Sequence, residues 1–174
     1  MSSFTFKCII LGPAAVGKSS LIRRFVENKF STDYRFTIGV DFMSKEVEYE
    51  SGKTAKLTIW DIGGQERFKF LRRGFYEGTN GALLIFDLSR ASTFPKMKEW
   101  LIDMRGTITE KIPLVIIGNK TDLIPEIGEV IKENEPQEYA NKEGSMYLKT
   151  SAKTGDNVEK AFIELTQRMI KKYS

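Results

Sequence analysis

Eight residues near the start of the chain constrain it more than any others: Gly12-Pro13-Ala14-Ala15-Val16-Gly17-Lys18-Ser19. They fit the spacing G-x-x-x-x-G-K-[ST], they follow the apolar run Phe4 to Leu11, and they lead into a helical pattern beginning near Ser20. In that context the glycines let backbone N–H groups come close to phosphate oxygens, and the helix that follows adds the positive end of its dipole. Ala15, Val16, Gly17, Lys18, Ser19 and Ser20 are therefore candidate phosphate-binding residues. Lys18 is placed to bridge the β- and γ-phosphates and the Ser19 hydroxyl to ligate Mg²⁺. The same motif serves kinases and ATPases, so it leaves both the base and the reaction open.

Six strand-like runs recur along the chain, at Phe4 to Leu11, Met43 to Tyr49, Ala55 to Asp61, Ala82 to Leu88, Leu114 to Asn119 and Met146 to Thr150. The second and third are joined by the short turn Ser51-Gly52-Lys53 and read as an antiparallel hairpin, whereas helix-length connections separate the others. The expectation is an α/β fold of three layers: a six-stranded, mostly parallel sheet with one antiparallel edge strand and helices on both faces. Val158, Ala161, Phe162, Leu165 and Met169 share one helical face in the last segment. Ser92 or Thr93, followed by Pro95, opens another helix with Phe94, Met97, Leu101 and Met104 in a stripe. Both stripes read as core. With 174 residues and 41% hydrophobic content the chain suits one domain, 1–174, with no internal repeat or linker.

The base is chosen by Asn119-Lys120-Thr121-Asp122, at the carboxyl end of the fifth strand, where ligands bind in open α/β sheets. A carboxylate only accepts hydrogen bonds, so Asp122 suits the N1–H and 2-amino donors of guanine and would be left unpaired by adenine. Sites built on such bonds discriminate by roughly 10⁴ or more. Ser151-Ala152-Lys153 lies downstream, after the sixth strand.

With these motifs in order, the sequence resembles a Ras-superfamily small GTPase from Phe6 to about Tyr173. The Rab branch is the most similar, through Ile38-Gly39-Val40-Asp41-Phe42 and Lys56-Leu57-Thr58-Ile59-Trp60. The resemblance implies a GTP-hydrolysing switch that cycles between GDP and GTP forms to control effector binding in membrane traffic or a related signalling process. Its residue roles are carried over from that superfamily. Thr37 matches the threonine that ligates Mg²⁺ and senses the γ-phosphate. Phe30 matches the aromatic residue beside the guanine, and Tyr34 the tyrosine that closes over the phosphates. Asp61 and Gly64 match D-x-x-G, with Asp61 supporting the metal through water and the Gly64 N–H meeting the γ-phosphate. Gln65 matches the catalytic glutamine that orients the attacking water. The Ala152 N–H is implied to touch the guanine carbonyl, with Lys120 and Lys153 against the base and Asn119 and Ser151 completing the two loops. Phe42, Trp60 and Phe75 match an aromatic triad that meets effectors, although strand aromatics are more often core.

Four features depart from the pattern. Ala14 puts a methyl near the γ-phosphate, Gly63 precedes Gly64 where alanine is usual, and Pro125, Gly128 and Pro136 suggest a surface-loop insertion. The chain ends Lys171-Lys172-Tyr173-Ser174 without the cysteines that receive prenyl groups, so membrane contact is allowed but that anchor is not supplied here. The expected partners are an exchange factor, a GTPase-activating protein and effectors, and the expected state is a monomer. A net charge of +4 is modest beside the basic stripes of nucleic-acid binders, and none of those is expected as a partner. The chain has no histidine, so imidazole chemistry is excluded, and Cys8 stands alone in an apolar strand. With no secretory signal pattern and no membrane-length apolar stretch, the cytoplasm is the default compartment, with a peripheral membrane position allowed. Two other readings stay open: a P-loop kinase or ATPase, and a GTP-binding interaction module with negligible hydrolysis.

Overall fold

The first strand explains the layering. In β1, Phe4–Leu11, Cys8 and Ile10 point to one side of the sheet while Ile9 and Leu11 point to the other, the alternation every pleated strand imposes. All four are fully buried, so both faces must be covered. The computed structural model describes residues 4–32, 40–64, 70 and 72–174.

The strands are completed by β2 at Val40–Glu50, β3 at Lys53–Ile62, β4 at Gly81–Asp87, β5 at Leu114–Asn119 and β6 at Met146–Thr150. Their spatial order is β2-β3-β1-β4-β5-β6. Every pairing is parallel except that of β2 with β3. This is the expected sheet, with β2 as its antiparallel edge. The hairpin turns through Ser51 and Gly52, and Gly52 takes a left-handed φ of 74° that costs a glycine little. β2 begins three residues before the expected Met43 because Val40, Asp41 and Phe42 pair with Ile62, Asp61 and Trp60. Its apolar signal is weak there because edge residues face water.

On one face, α1 (Lys18–Glu27) and α6 (Val158–Tyr173) press Leu21, Ile22, Phe25, Phe162 and Leu165 onto the sheet. On the other, α2 (Arg72–Tyr76), α3 (Thr93–Arg105) and α5 (Asn134–Lys142) contribute Tyr76, the stripe from Phe94 to Met104, and Ala140. The two helical stripes read from the sequence are buried throughout. Between β5 and α5 the chain makes a 3-10 turn at Thr121–Leu123 and the short α4 at Ile124–Ile127.

Two local expectations need correction. α1 starts at Lys18 rather than near Ser20, because the Leu21 N–H already bonds the Gly17 carbonyl at 2.9 Å. Pro136 belongs to no surface loop; it is buried in the first turn of α5, where a missing N–H leaves no bond unmade.

Five parallel strands end at Leu11, Ile62, Asp87, Asn119 and Thr150 on one edge of the sheet, and the phosphate loop, Asp61 with Gly64, Asn119 to Asp122 and Ser151 to Lys153 lie at four of those ends. That edge is held in place by the packing beneath it. The rings of Phe25 in α1 and Phe162 in α6 stack with centroids 4.0 Å apart and planes within 2°. Phe162→Ala removes a fully buried ring from this joint. It is expected to cost about 3–5 kcal/mol, measured by urea denaturation at a fixed GDP and Mg²⁺ concentration.

Candidate nucleotide-binding site

The loop between β1 and α1 is shaped by residues that can enter conformations others resist. Gly12 crosses directly over the end of β4, where a Cβ would lie 2.3 Å from the Ile85 carbonyl oxygen. Ala15 and Gly17 take positive φ values of 66° and 97°. Alternating the backbone in this way turns successive N–H groups inward and builds an anion-binding concavity. For Ala15 that geometry is strained by about 1–3 kcal/mol, so the surroundings must hold it.

Lys18 lies inside the loop at 6% exposure, its Nζ donating to the carbonyl oxygens of Gly12 and Pro13 at 2.9 Å each. Burial draws its pKa down to about 8, opposed by the Asp61 carboxylate and assisted by Arg72. A buried ammonium that donates to neutral carbonyls is a group that an arriving phosphate stabilises strongly. Next to it the Ser19 hydroxyl donates to Oδ2 of Asp61, the residue that ends the pairing of β3 with β1. Ser19 is exposed, and this hydroxyl and carboxylate form the hard-oxygen pair that suits Mg²⁺ alongside phosphate oxygens. Among the described residues no cluster of three His, Cys, Asp or Glu side chains offers a rival metal site. Three residues after Asp61 the chain lies on the loop itself: a Cβ on Gly64 would sit 2.6 Å from the Ala14 nitrogen and 2.8 Å from the Gly12 carbonyl oxygen. Only glycine allows that approach, which gives the D-x-x-G spacing a structural meaning.

The base motif is joined to the same loop. Nδ2 of Asn119 donates to the Val16 carbonyl at 2.9 Å, and Oδ1 accepts from the Thr150 hydroxyl at 2.9 Å. The amide occupies the space a Gly17 side chain would need, since a Cβ there would be 2.4 Å from Nδ2. Lys120, left-handed at φ 73°, donates from Nζ to the Ala15 carbonyl and pairs with Asp87, each at 2.9 Å. The ammonium of Lys120 is thus committed to the phosphate loop. The Ser151 hydroxyl donates to Oδ1 of Asp122 at 2.8 Å, orienting the carboxylate, and Ala152 is buried beside it while Lys153 is exposed.

Other candidates are placed differently. Ser20 follows in the first turn of α1. Phe30 lines a groove of about 480 Å³ with Ser19, Asp41, Phe42, Ile59 and Asp61, apart from Asn119, Asp122 and Ala152. Tyr34, Thr37 and Gln65 lie outside the described residues. Phe42, Trp60 and Phe75 are contiguous, with ring centroids 4.4 and 6.2 Å apart in turn. Phe42 is 52% exposed, whereas Trp60 and Phe75 are half-buried against the core. The Lys7 ammonium stands 3.7 Å over the Trp60 ring and donates to the Phe75 and Glu77 carbonyls.

Sequence reasoning missed Asp87 and Arg90. Burial pushes the Asp87 carboxyl up, but hydrogen bonds from Ser89 and Lys120 outweigh it and hold the group below the usual range. Arg90 pairs with Asp87 at 3.0 Å and donates from Nη2 to the carbonyls of Ala15 at 2.9 Å and Ala14 at 3.3 Å. The signal was a charge closing the apolar run of β4, followed three residues later by an arginine.

The Ras family profile matches residues 7–171. Ras-related protein Rab-4B of Rattus norvegicus is 42% identical over 169 residues, covering 97% of this chain and 78% of the relative. Rab-4A of Homo sapiens is 40% identical, covering 97% and 76%. Rab-2B of Dictyostelium discoideum is 40% identical over 167 residues, covering 96% and 81%.

Arg90 is nearly half exposed, so its bonds to the loop contribute modestly. Arg90→Ala is expected to lower the barrier to nucleotide release by about 1 kcal/mol, a roughly fivefold faster loss of a fluorescent GDP analogue. An unchanged release rate would mean that this clamp does not hold the loop.

Proposed function

The chain belongs to the Ras family of small GTPases, which hydrolyse GTP to GDP and phosphate, and from that premise we propose that it is a Rab-like switch controlling effector binding in membrane traffic. In this reading residues 1–174 form one nucleotide-binding domain. The observation that carries it is the joint between the two motifs: Asn119 on the Val16 carbonyl and Lys120 on the Ala15 carbonyl. A guanine held by Asp122 thereby has a fixed distance to phosphates held by the loop.

The division of labour follows from the side chains. Asp122 accepts from N1–H and the 2-amino group, and Ser151 keeps its carboxylate turned. Lys18 and the N–H groups around Ala15 to Ser19 neutralise the β- and γ-phosphates. Ser19 and Thr37 would hold Mg²⁺ through their hydroxyls, with the Asp61 carboxylate in support. When bound, the ion draws off charge that develops on the phosphate oxygens. Gln65 orients a water whose oxygen attacks the γ-phosphorus. The bond from that phosphorus to the bridging oxygen breaks, its electron pair stays on GDP, and both hydrogens of the water leave on the phosphate product as dihydrogen phosphate. Gly64, already against the loop at Ala14, offers its N–H to the γ-phosphate and carries the nucleotide state to the segment after it.

An exchange factor, a GTPase-activating protein and effectors are the partners this cycle needs, and Phe42 at the tip of the aromatic triad is the exposed contact for an effector. No helix among the described residues is long and apolar enough to cross a membrane. A peripheral position at a membrane surface accords with that.

Single-turnover hydrolysis by GTP-loaded protein tests the reading. Wild type is expected to convert its GTP slowly, and Gln65→Leu to slow it at least about tenfold, or roughly 1.4 kcal/mol of barrier. An equal rate in Gln65→Leu removes that residue from the mechanism. Tight GTP binding with no turnover in wild type would instead identify an interaction module.

A further inference from the structure

The loop that carries Ala152 is closed on itself along one side. The Ser151 N–H bonds the Asp156 carbonyl at 3.1 Å, the Gly155 N–H bonds the Ser151 carbonyl at 2.8 Å, and the Thr154 N–H bonds the Ser151 hydroxyl at 3.1 Å. The carbonyls of Ala152 and Lys153 point the other way, and α1 supplies their donors. Nε of Arg24 donates to the Ala152 oxygen at 2.8 Å and Nη2 to the Lys153 oxygen at 2.6 Å. The third nitrogen, Nη1, reaches Oδ1 of Asn28 at 3.2 Å, and Asn28 caps α1 through its own N–H on the Arg24 carbonyl at 3.0 Å. One planar guanidinium therefore ties two successive peptide carbonyls, 128 and 129 residues further along the chain, to the helix that begins at Lys18. Six residues of helix place it about 9 Å from the phosphate end.

Because peptide units are planar, the Ala152 N–H lies in the plane of the Ser151 carbonyl, which the Gly155 N–H holds, while Arg24 holds the next plane through the Ala152 carbonyl; together they fix the two dihedrals of Ala152 and limit the swing of the plane that carries its N–H. We propose that Arg24 is a positioning residue for base recognition: its fork on Ala152 and Lys153 aims the Ala152 N–H at the oxygen on position 6 of the purine and sets the preference for that oxygen. This rests on the reading above that Ala152 meets the guanine carbonyl. A planar fork suits the task, since it locks two acceptors in one plane while an ammonium holds them without fixing their relative angle.

The test compares GDP with 6-thioguanosine diphosphate, which keeps the N1–H and 2-amino donors for Asp122 and replaces only the position-6 oxygen by the weaker acceptor sulfur. Affinities are measured by competition against a fluorescent GDP analogue in saturating Mg²⁺. Wild type is expected to prefer GDP by about tenfold, the size of one well-aligned hydrogen bond. Arg24→Ala is expected to bring that preference to about twofold by weakening GDP much more than the thio analogue, with Arg24→Lys intermediate. Arg24 is partly exposed, so both variants should retain the fold, which far-UV circular dichroism in GDP verifies. If Arg24→Ala weakens both nucleotides equally, Arg24 only supports the structure and the proposal is overturned. If wild type itself does not distinguish the two nucleotides, the reading of Ala152 fails first, and the proposal fails with it.

Discussion

The hydrogen bond from Asn119 to the Val16 carbonyl is the contact on which the rest of the site depends. It lies in the interior, its acceptor side is tied to Thr150, and it occupies the one place that a side chain at Gly17 would need. A buried amide with both ends satisfied is rigid, and losing either partner would strand a polar group without water. The ends of β1, β5 and β6 are thereby fixed to one another. Lys120 and Arg90, sharing the Asp87 carboxylate, add a second tie to the same loop one residue away. The two non-glycine residues held left-handed here, Ala15 and Lys120, are bonded directly to each other, so the strain of each is kept in place by the other.

The sheet makes this possible because its parallel strands deliver their ends to a single edge. The buried residues of β4 and β5 occupy both faces of the sheet, and helices cover those faces, so the motifs gather at the carboxyl ends. Buried polar groups accumulate there: Asp61, Asp87 and Asn119 are each met by a partner from another loop or strand end, and Lys18 is met by carbonyls of its own loop. Such a network stabilises one loop conformation far more than it stabilises the fold as a whole, which is what a site for a charged ligand requires.

Much of this was legible in the sequence because the signals were local. Glycine spacing, a strand of continuous apolar residues and a helical stripe each report on a few neighbouring positions, and the sheet with its antiparallel edge followed from them. The positions of Lys18 and Asn119 were legible for the same reason, whereas Asp61 came from the resemblance. What the sequence could not display were contacts between distant charges. Arg90 looks like an ordinary exposed arginine until α3 and β4 place it under Ala14 and Ala15, and nothing near Lys120 in the chain announced the bond of its ammonium to Ala15. The aromatic triad divides in the same way: residue type announced a cluster, but only the packing of Trp60 and Phe75 against the core leaves Phe42 as its exposed member.

In the proposed switch the frame around the loop and base stays fixed while the segments that follow α1 and β3 report which nucleotide is bound. Hydrogen–deuterium exchange of the protein loaded with GDP, or with a non-hydrolysable GTP analogue, tests that division directly. Peptides spanning 32–40 and 62–72 should be more protected with the analogue, while those spanning 12–20 and 119–123 exchange alike in both states. Identical exchange at 32–40 and 62–72 in the two states would contradict a nucleotide-driven switch.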